Sequence, residues 1–171
     1  VNGLLQSRDG SIWVASNSGL FRFLRDYWMH CGSEEGLPDS NVSQLLEDSK
    51  GELWAATGRG LVQFVPKADL DPPRTVIRRL PANTAEAENS ITMVFLAQDK
   101  WKQTPRERLV YSHRLDDGDW SPFAEASEVF LDELPAGKHV FQVRSMDRNF
   151  NVETDPARYE FKVVLPWYLE T

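Results

Sequence analysis

Three histidines, one cysteine and an acidic turn are the residues of this chain whose chemistry most often serves metal binding or catalysis. His30, His113 and His139 are scattered along the sequence and do not form a metal-binding pattern. The acidic turn at 116–119 lacks the roughly 12-residue ligand spacing and the terminal glutamate of an EF-hand. Cys31 stands alone, so it can form no internal disulfide and no cysteine cluster. The sequence therefore predicts no metal site.

The short motifs of common enzymes are missing from the sequence. It contains no phosphate-binding loop, no HExxH, no GxSxG and no paired CxxC. No nucleophile with an adjacent base can be recognised either. His113 and His139 each share a strand face with apolar residues, which favours core histidines and leaves a pH-sensing role as the alternative. We expect a non-enzymatic protein without a cofactor.

Charge and hydropathy exclude two further classes of protein. The net charge is −7, and the chain has no basic stripe to neutralise phosphates, which argues against nucleic-acid binding. An anionic membrane surface would also repel such an acidic chain. No apolar run reaches the ~20 residues of a spanning helix and no signal peptide opens the chain. Because the first residue is Val1, we expect a fragment that lacks its targeting parts.

The first third of the chain contains an internal repeat with an offset of 41 residues, as from Gly10 to Gly51. The other repeated positions are Leu4, Leu5, Trp13, Gly19, Leu20 and Phe23, which recur as Leu45, Leu46, Trp54, Gly60, Leu61 and Phe64. Each copy is a series of short strands separated by glycine turns, and four strands in roughly 40 residues is the size of a propeller blade.

The repeated aromatic residues are the candidate blade core. Trp13, Phe23, Trp54 and Phe64 are expected to fill the wedge between neighbouring blades, with stacking on a ligand as the alternative. Two blades cannot close a ring, because propellers typically need about 4–8. We therefore expect further blades before Val1, and an exposed blade face that either drives self-association or leaves the first blade poorly ordered.

This repeat resembles the two-component regulator propeller repeat. That family combines an acidic-glycine turn, a strand centred on tryptophan, and a Gly-Leu strand that ends in an aromatic residue. The first copy has these features as DGSIWVA at 9–15 and GLFRF at 19–23. The second copy has KGELWAA at 50–56 and GLVQF at 60–64.

A proline-rich segment separates the repeat from a second pattern. Residues 66–73 read PKADLDPP, and prolines interrupt strands. After them, seven short segments suit strands: 75–80, 91–97, 109–115, 120–123, 128–131, 139–146 and 158–164. This spacing predicts an immunoglobulin or fibronectin type III-like β-sandwich. The predicted organisation is an all-β chain with two incomplete-propeller blades at 1–66, a linker at 67–73 and a sandwich at 74–171.

The segment 72–171 resembles the three-tyrosine (Y_Y_Y) domain that follows regulator propellers. The motifs that support the resemblance are PP at 72–73, YSHRL at 111–115, LPAG at 134–137, HVFQVR at 139–144 and PWYLET at 166–171. Tyr111 occupies one tyrosine position of that family, and His113 and His139 stand at the other two.

The two resemblances together imply the periplasmic sensor region of a hybrid two-component sensor histidine kinase-like protein. They imply that Pro166, Trp167 and Tyr168 are juxtamembrane transmission residues, with a membrane span directly after the C-terminus. They also imply a homodimer, through the sandwich or the open blade face, and a carbohydrate ligand for the full propeller. The alternatives are an accessory module of a secreted carbohydrate-active enzyme and a pure scaffold for protein contacts.

Overall fold

The computed structural model describes residues 1–65, 69–79, 90–100 and 104–164. The chain divides into two units, Val1–Asp69 and Leu70–Thr171. The predicted juxtamembrane residues Pro166, Trp167 and Tyr168 lie outside the described residues, as do residues 66–68 of the proline-rich segment. The predicted bounds of the blades, linker and sandwich therefore remain predictions. Nowhere in the described ranges does a helix have the length and apolar character needed to cross a membrane.

The first unit begins with a four-stranded antiparallel sheet, as expected for a propeller blade. Its strands are β1 (Gly3–Gln6), β2 (Ile12–Ser16), β3 (Gly19–Leu24) and β4 (Tyr27–Cys31), paired in chain order. A second sheet repeats the arrangement with β5 (Val42–Glu47), β6 (Leu53–Thr57) and β7 (Gly60–Phe64). Gly10 and Gly51 take φ values of 85° and 82° in equivalent turns, a conformation that side-chain-bearing residues adopt only at a cost.

The second unit consists of two three-stranded antiparallel sheets. Its strands are β8 (Arg74–Arg79), β9 (Ile91–Gln98), β10 (Val110–Leu115), β11 (Glu128–Leu131), β12 (Gly137–Met146) and β13 (Ala157–Val163). One sheet has the order β11-β9-β8 and the other β10-β12-β13. The all-β expectation is confirmed for the described residues, which otherwise include only two short 3-10 turns, at Ser33–Glu35 and Arg106–Arg108.

The predicted strand at 120–123 is the one predicted strand of the sandwich that the structure does not form. Ser121 donates its amide to the carbonyl of His113, and Ala124 forms a single bridge with Tyr111. Pro122 lies between these two contacts and has no N–H to donate, so a continuous ladder cannot form. This stretch therefore follows the edge of β10 without becoming a full strand.

Alternating side chains build the core of the sandwich. Met93 and Phe95 of β9 face Phe141 and Val143 of β12, and all four are almost fully buried. Tyr111 also lies in this buried layer, and its hydroxyl oxygen accepts a hydrogen bond from the Ala97 amide at 3.0 Å. Because each buried aromatic side chain removes much apolar surface from water, this layer stabilises the unit.

Candidate functional site

Trp13 and Phe64 form the centre of the contact between the two blades. Trp13 is 2% exposed, and its ring meets the Phe64 ring edge-on with centroids 4.8 Å apart. Ala15, Leu20 and Val42 complete the buried layer around this pair. The second blade therefore covers the face of the first blade that carries Trp13.

Arg22 extends this contact with a buried positive charge. Its guanidinium lies 5.0 Å from the centre of the Trp13 ring and 5.8 Å from that of Phe64. An Asp9 carboxylate oxygen lies 2.7 Å from one of its terminal nitrogens. Sequence reasoning missed Arg22, although it alternates with Leu20 on the covered face of β3, and an arginine at such a position needs a partner.

The Asp9 carboxylate organises the turn before Trp13. Partial burial raises the pKa of Asp9, but hydrogen bonds from Ser11 and Ser7 and the charge of Arg22 outweigh it, so the pKa lies well below its ordinary value. The ionised carboxylate therefore holds the turn and the arginine together.

We expect Asp9→Asn to reduce the acid sensitivity of the blade pair. Since the folded pKa of Asp9 is depressed, its contribution to stability is present above the unfolded value near 4 and is lost as the pH falls below it. Urea unfolding between about pH 3 and pH 6 should show a shallower pH slope for the variant. Asp26→Asn, at an exposed turn, is the control. Parallel curves for wild type and Asp9→Asn would contradict the assignment.

The second blade presents the equivalent face to solvent. Leu20 is 1% exposed, whereas its repeat counterpart Leu61 is 67% exposed. Leu46 is 62% exposed, and the pairings Leu46 with Trp54 and Ala56 with Leu61 place these four side chains on one face. We call Leu46, Trp54, Ala56 and Leu61 the open face, which borders a groove of about 410 Å³.

The four predicted blade-core residues thus occupy three different surroundings. Trp13 and Phe64 pack between the blades, and Trp54 lies on the open face with its indole N–H 3.4 Å from Asp48. Phe23 lies on the opposite outer face, with its ring 5.0 Å from that of Trp28. A wedge-filling role for Phe23 and Trp54 remains a prediction, as does their alternative role in stacking on a ligand.

The two histidines of the sandwich have different environments. His113 packs against Phe141 with ring centroids 5.7 Å apart, and burial lowers its pKa. His139 is hydrogen-bonded through both ring nitrogens, at 2.8 Å to a carboxylate oxygen of Asp116 and at 2.9 Å to the carbonyl of Pro135. In the described part of the chain, no group of three or more His, Cys, Asp or Glu side chains is arranged to hold a metal ion.

Residues 36–59 match the family described as "Two component regulator propeller". The match covers most of the second repeat, including Trp54 and its glycine turn. No curated protein matches the sequence.

Three solved structures from B. thetaiotaomicron are similar to the chain. The first is the extracellular domain of a protein described as a hybrid two component system, with 16% identity, a TM-score of 0.54, and coverage of 94% of this chain and 26% of that one. The other two are extracellular domains described as a one component and a hybrid two component system. They have TM-scores of 0.40, identities of 16% and 14%, and cover 99% and 98% of this chain but 30% and 26% of theirs.

The chain spans about a quarter of the length of the first of these proteins. At 16% identity that likeness shows the fold. The resemblance of 72–171 to the three-tyrosine domain remains a prediction. Residues 36–59 therefore match a two-component regulator propeller repeat, and over 94% of its length the chain is similar in fold to a part of the extracellular domain in the first structure.

Proposed function

We propose that this chain is a non-catalytic, extracytoplasmic part of a bacterial two-component sensor, which passes ligand binding at a propeller to an output domain across the membrane. The observation that supports this most directly is the order of the fold: regulator-propeller blades followed by a sandwich, alike over 94% of the chain to such an extracellular domain. The ligand of the full propeller would be a carbohydrate, and transmission would be a population shift between two arrangements of a dimer.

In this proposal, the two blades belong to a larger propeller that binds the ligand. Inside the chain, the face of the first blade that carries Trp13 is covered by Leu53, Ala55 and Phe64 of the second blade. The open face is its repeat counterpart, and its two leucines, Leu46 and Leu61, are exposed. A third sheet with the same apolar and aromatic pattern is therefore the partner that the open face fits.

The first blade carries such a pattern on its outer side. Ile12, Val14 and Phe23 are the repeat counterparts of Leu53, Ala55 and Phe64, and all three are only partly buried. Two copies of the chain can therefore stack head to tail, with the open face of one on the outer side of the other. Such a heterologous contact repeats the contact already present between the blades.

We expect the chain to self-associate in concentrated solution and Leu61→Glu to weaken that association at least about tenfold, because the carboxylate would be buried without a partner. Val14→Glu on the opposite face should do the same. An equimolar mixture of the two variants should still form a dimer, since one intact face remains on each molecule. Sedimentation velocity of the wild type, of each variant and of their mixture measures this association.

Leu96→Glu is the matched control, because Leu96 is an exposed leucine in the middle of β9 in the sandwich. If the wild type stays monomeric, or if the mixture fails to dimerise, the head-to-tail contact is wrong. If Leu61→Glu and Val14→Glu leave a dimer unchanged while Leu96→Glu dissociates it, the dimer forms through the sandwich.

The membrane relay is tested by reading the gene beyond the codon for Thr171. We expect an apolar run of ~20 residues, followed by a kinase or another output domain. A soluble catalytic domain in that place would overturn the sensor proposal. It would favour an accessory module of a secreted carbohydrate-active enzyme.

A further inference from the structure

The corner formed by Asp116, Pro135 and His139 joins three segments at one end of the sandwich. Asp116 follows β10, Pro135 lies in the turn before β12, and His139 lies near the start of β12. His139 pairs with Phe161 of β13, so this end of the sandwich is also where the last described strand finishes. A change at this corner would therefore affect both strands that pair with β12, which are β10 and β13.

Both hydrogen bonds of His139 require its ring nitrogens to donate. A carbonyl oxygen and a carboxylate oxygen can only accept, and they lie 2.9 Å from Nε2 and 2.8 Å from Nδ1. A neutral imidazole has one N–H, so one of its nitrogens would direct a lone pair at an oxygen. Only the imidazolium form satisfies both contacts, and the side chain of His139 is 7% exposed, so water cannot readily replace a lost partner.

Asp116 is held in place independently of the imidazole. Its second carboxylate oxygen accepts the Val140 amide at 2.7 Å, and its own amide donates to the Val140 carbonyl at 2.8 Å. The residue has a φ of 52°, a conformation that aspartate tolerates better than most side chains. The carboxylate is therefore positioned before a proton binds to His139.

Among the described residues, the imidazole also makes a ring contact with an apolar side chain. The Phe161 ring lies 5.5 Å away on β13, and strand alternation turns Glu160 and Lys162 to the other side of that strand. On β12, Lys138 likewise points away from the core. Among the described residues, Asp116 is the only ionisable side chain in hydrogen-bond or ring contact with His139.

We propose that His139 and Asp116 form a proton-dependent clamp, closed when the imidazole is charged and released at the 134–137 turn when the imidazole loses its proton. On release, Nδ1 keeps its proton for the carboxylate, and Nε2 loses its bond to the Pro135 carbonyl. The clamp is a property of the sandwich alone and does not depend on the proposed sensor role. Nothing in the local sequence around His139 indicates its partner, which is 23 residues away.

The pKa directions agree with this geometry. The hydrogen bonds to Asp116 and to Pro135 raise the pKa of His139 more than burial lowers it. Burial raises the pKa of Asp116, but the hydrogen bonds from His139 and Val140 outweigh it, so this pKa is below its ordinary value. Because the folded pKa of His139 is raised, its contribution to stability is complete below the unfolded value near 6.5 and is lost as the pH rises through the folded value.

The first test is an NMR titration of the imidazole signals of the whole chain. We expect His139 to titrate above its ordinary value of about 6.5, and Asp116→Asn to lower the pKa of His139 towards that value. The asparagine can still accept the Val140 amide, so the fold should persist. Asp117→Asn, an exposed change in the same turn, is the control and should leave the His139 pKa unchanged.

The second test compares urea unfolding of the wild type and His139→Gln between about pH 6 and pH 8.5. The wild type should lose stability with rising pH relative to the variant. The comparison also removes the contribution of His113, which has the opposite sign because its folded pKa is lowered. His139→Tyr, which keeps an aromatic ring, gives the same comparison if the glutamine variant does not fold.

A third measurement follows the clamp directly. The carbonyl ¹³C shift of Pro135 should change in a step at the pKa of His139 in the wild type, as the bond from Nε2 is lost, and should show no such step in His139→Gln. A His139 pKa at or below the ordinary value would overturn the clamp. So would an Asp116→Asn variant that titrates like the wild type, or parallel stability curves for wild type and variant.

Discussion

Replacing Phe141 by alanine is expected to lower the free energy of unfolding of the sandwich by about 3–5 kcal/mol. Phe141 is 0% exposed and lies at the centre of β12. Its ring lies 6.2 Å from that of Phe95 in the opposite sheet and 5.7 Å from that of His113 beside it. Removing the ring leaves a cavity that two packed sheets cannot close.

The measurement is urea denaturation, and the same substitution at an exposed phenylalanine provides the control. Phe130 lies on β11 and is 55% exposed, so Phe130→Ala should change the free energy of unfolding by no more than about 0.5 kcal/mol. Equal effects at the two positions would mean that the two sheets do not enclose Phe141 as described.

Replacing Glu153 by alanine is the second change with a large expected effect. We expect the free energy of unfolding to fall by about 2–6 kcal/mol, because two backbone amides lose their hydrogen-bond acceptor. The Glu153 carboxyl group accepts the amides of Thr75 and Ser145 at 3.0 and 3.3 Å, and it is in hydrogen-bond contact with both of their hydroxyls. Thr75 lies on β8 and Ser145 on β12, in different sheets. All three residues are buried, so water cannot readily take over the released donors.

Glu160→Ala is the matched control for Glu153→Ala. Glu160 lies on β13 with its side chain 71% exposed, and its ion pair with Arg158 is a surface contact. We expect a change within about 0.5 kcal/mol for this variant in the same urea experiment. A loss at Glu153 no larger than that at Glu160 would contradict a buried link between the sheets.

These two predictions and the clamp at His139 concern contacts made at three positions along β12. Phe141 supplies apolar contact, Ser145 supplies the link to β8 through Glu153, and His139 supplies the titrating corner. Phe141→Ala, Glu153→Ala and His139→Gln test the three links separately, because each variant removes a different contact.

The repeat, its strands and its turns could be predicted from the sequence alone. Positions 41 residues apart have the same residue types, and the structure forms equivalent strands and glycine turns at both copies. Alternation with a period of two also predicted β9 and β12 correctly. Strands and turns are determined largely by residues close together in the sequence, so the local pattern is enough to predict them. The strand at 120–123 failed for an equally local reason, the proline at 122.

Only the tertiary structure decided what each repeated or similar residue does. Trp13 and Trp54 have matching sequence surroundings, but the second blade buries Trp13, whereas Trp54 is only partly buried and lines the groove at the open face. His113 and His139 both lie on apolar strand faces, yet their pKa values shift in opposite directions because only His139 meets a carboxylate. Burial and charge pairing depend on groups brought together from distant parts of the chain, which no local pattern encodes.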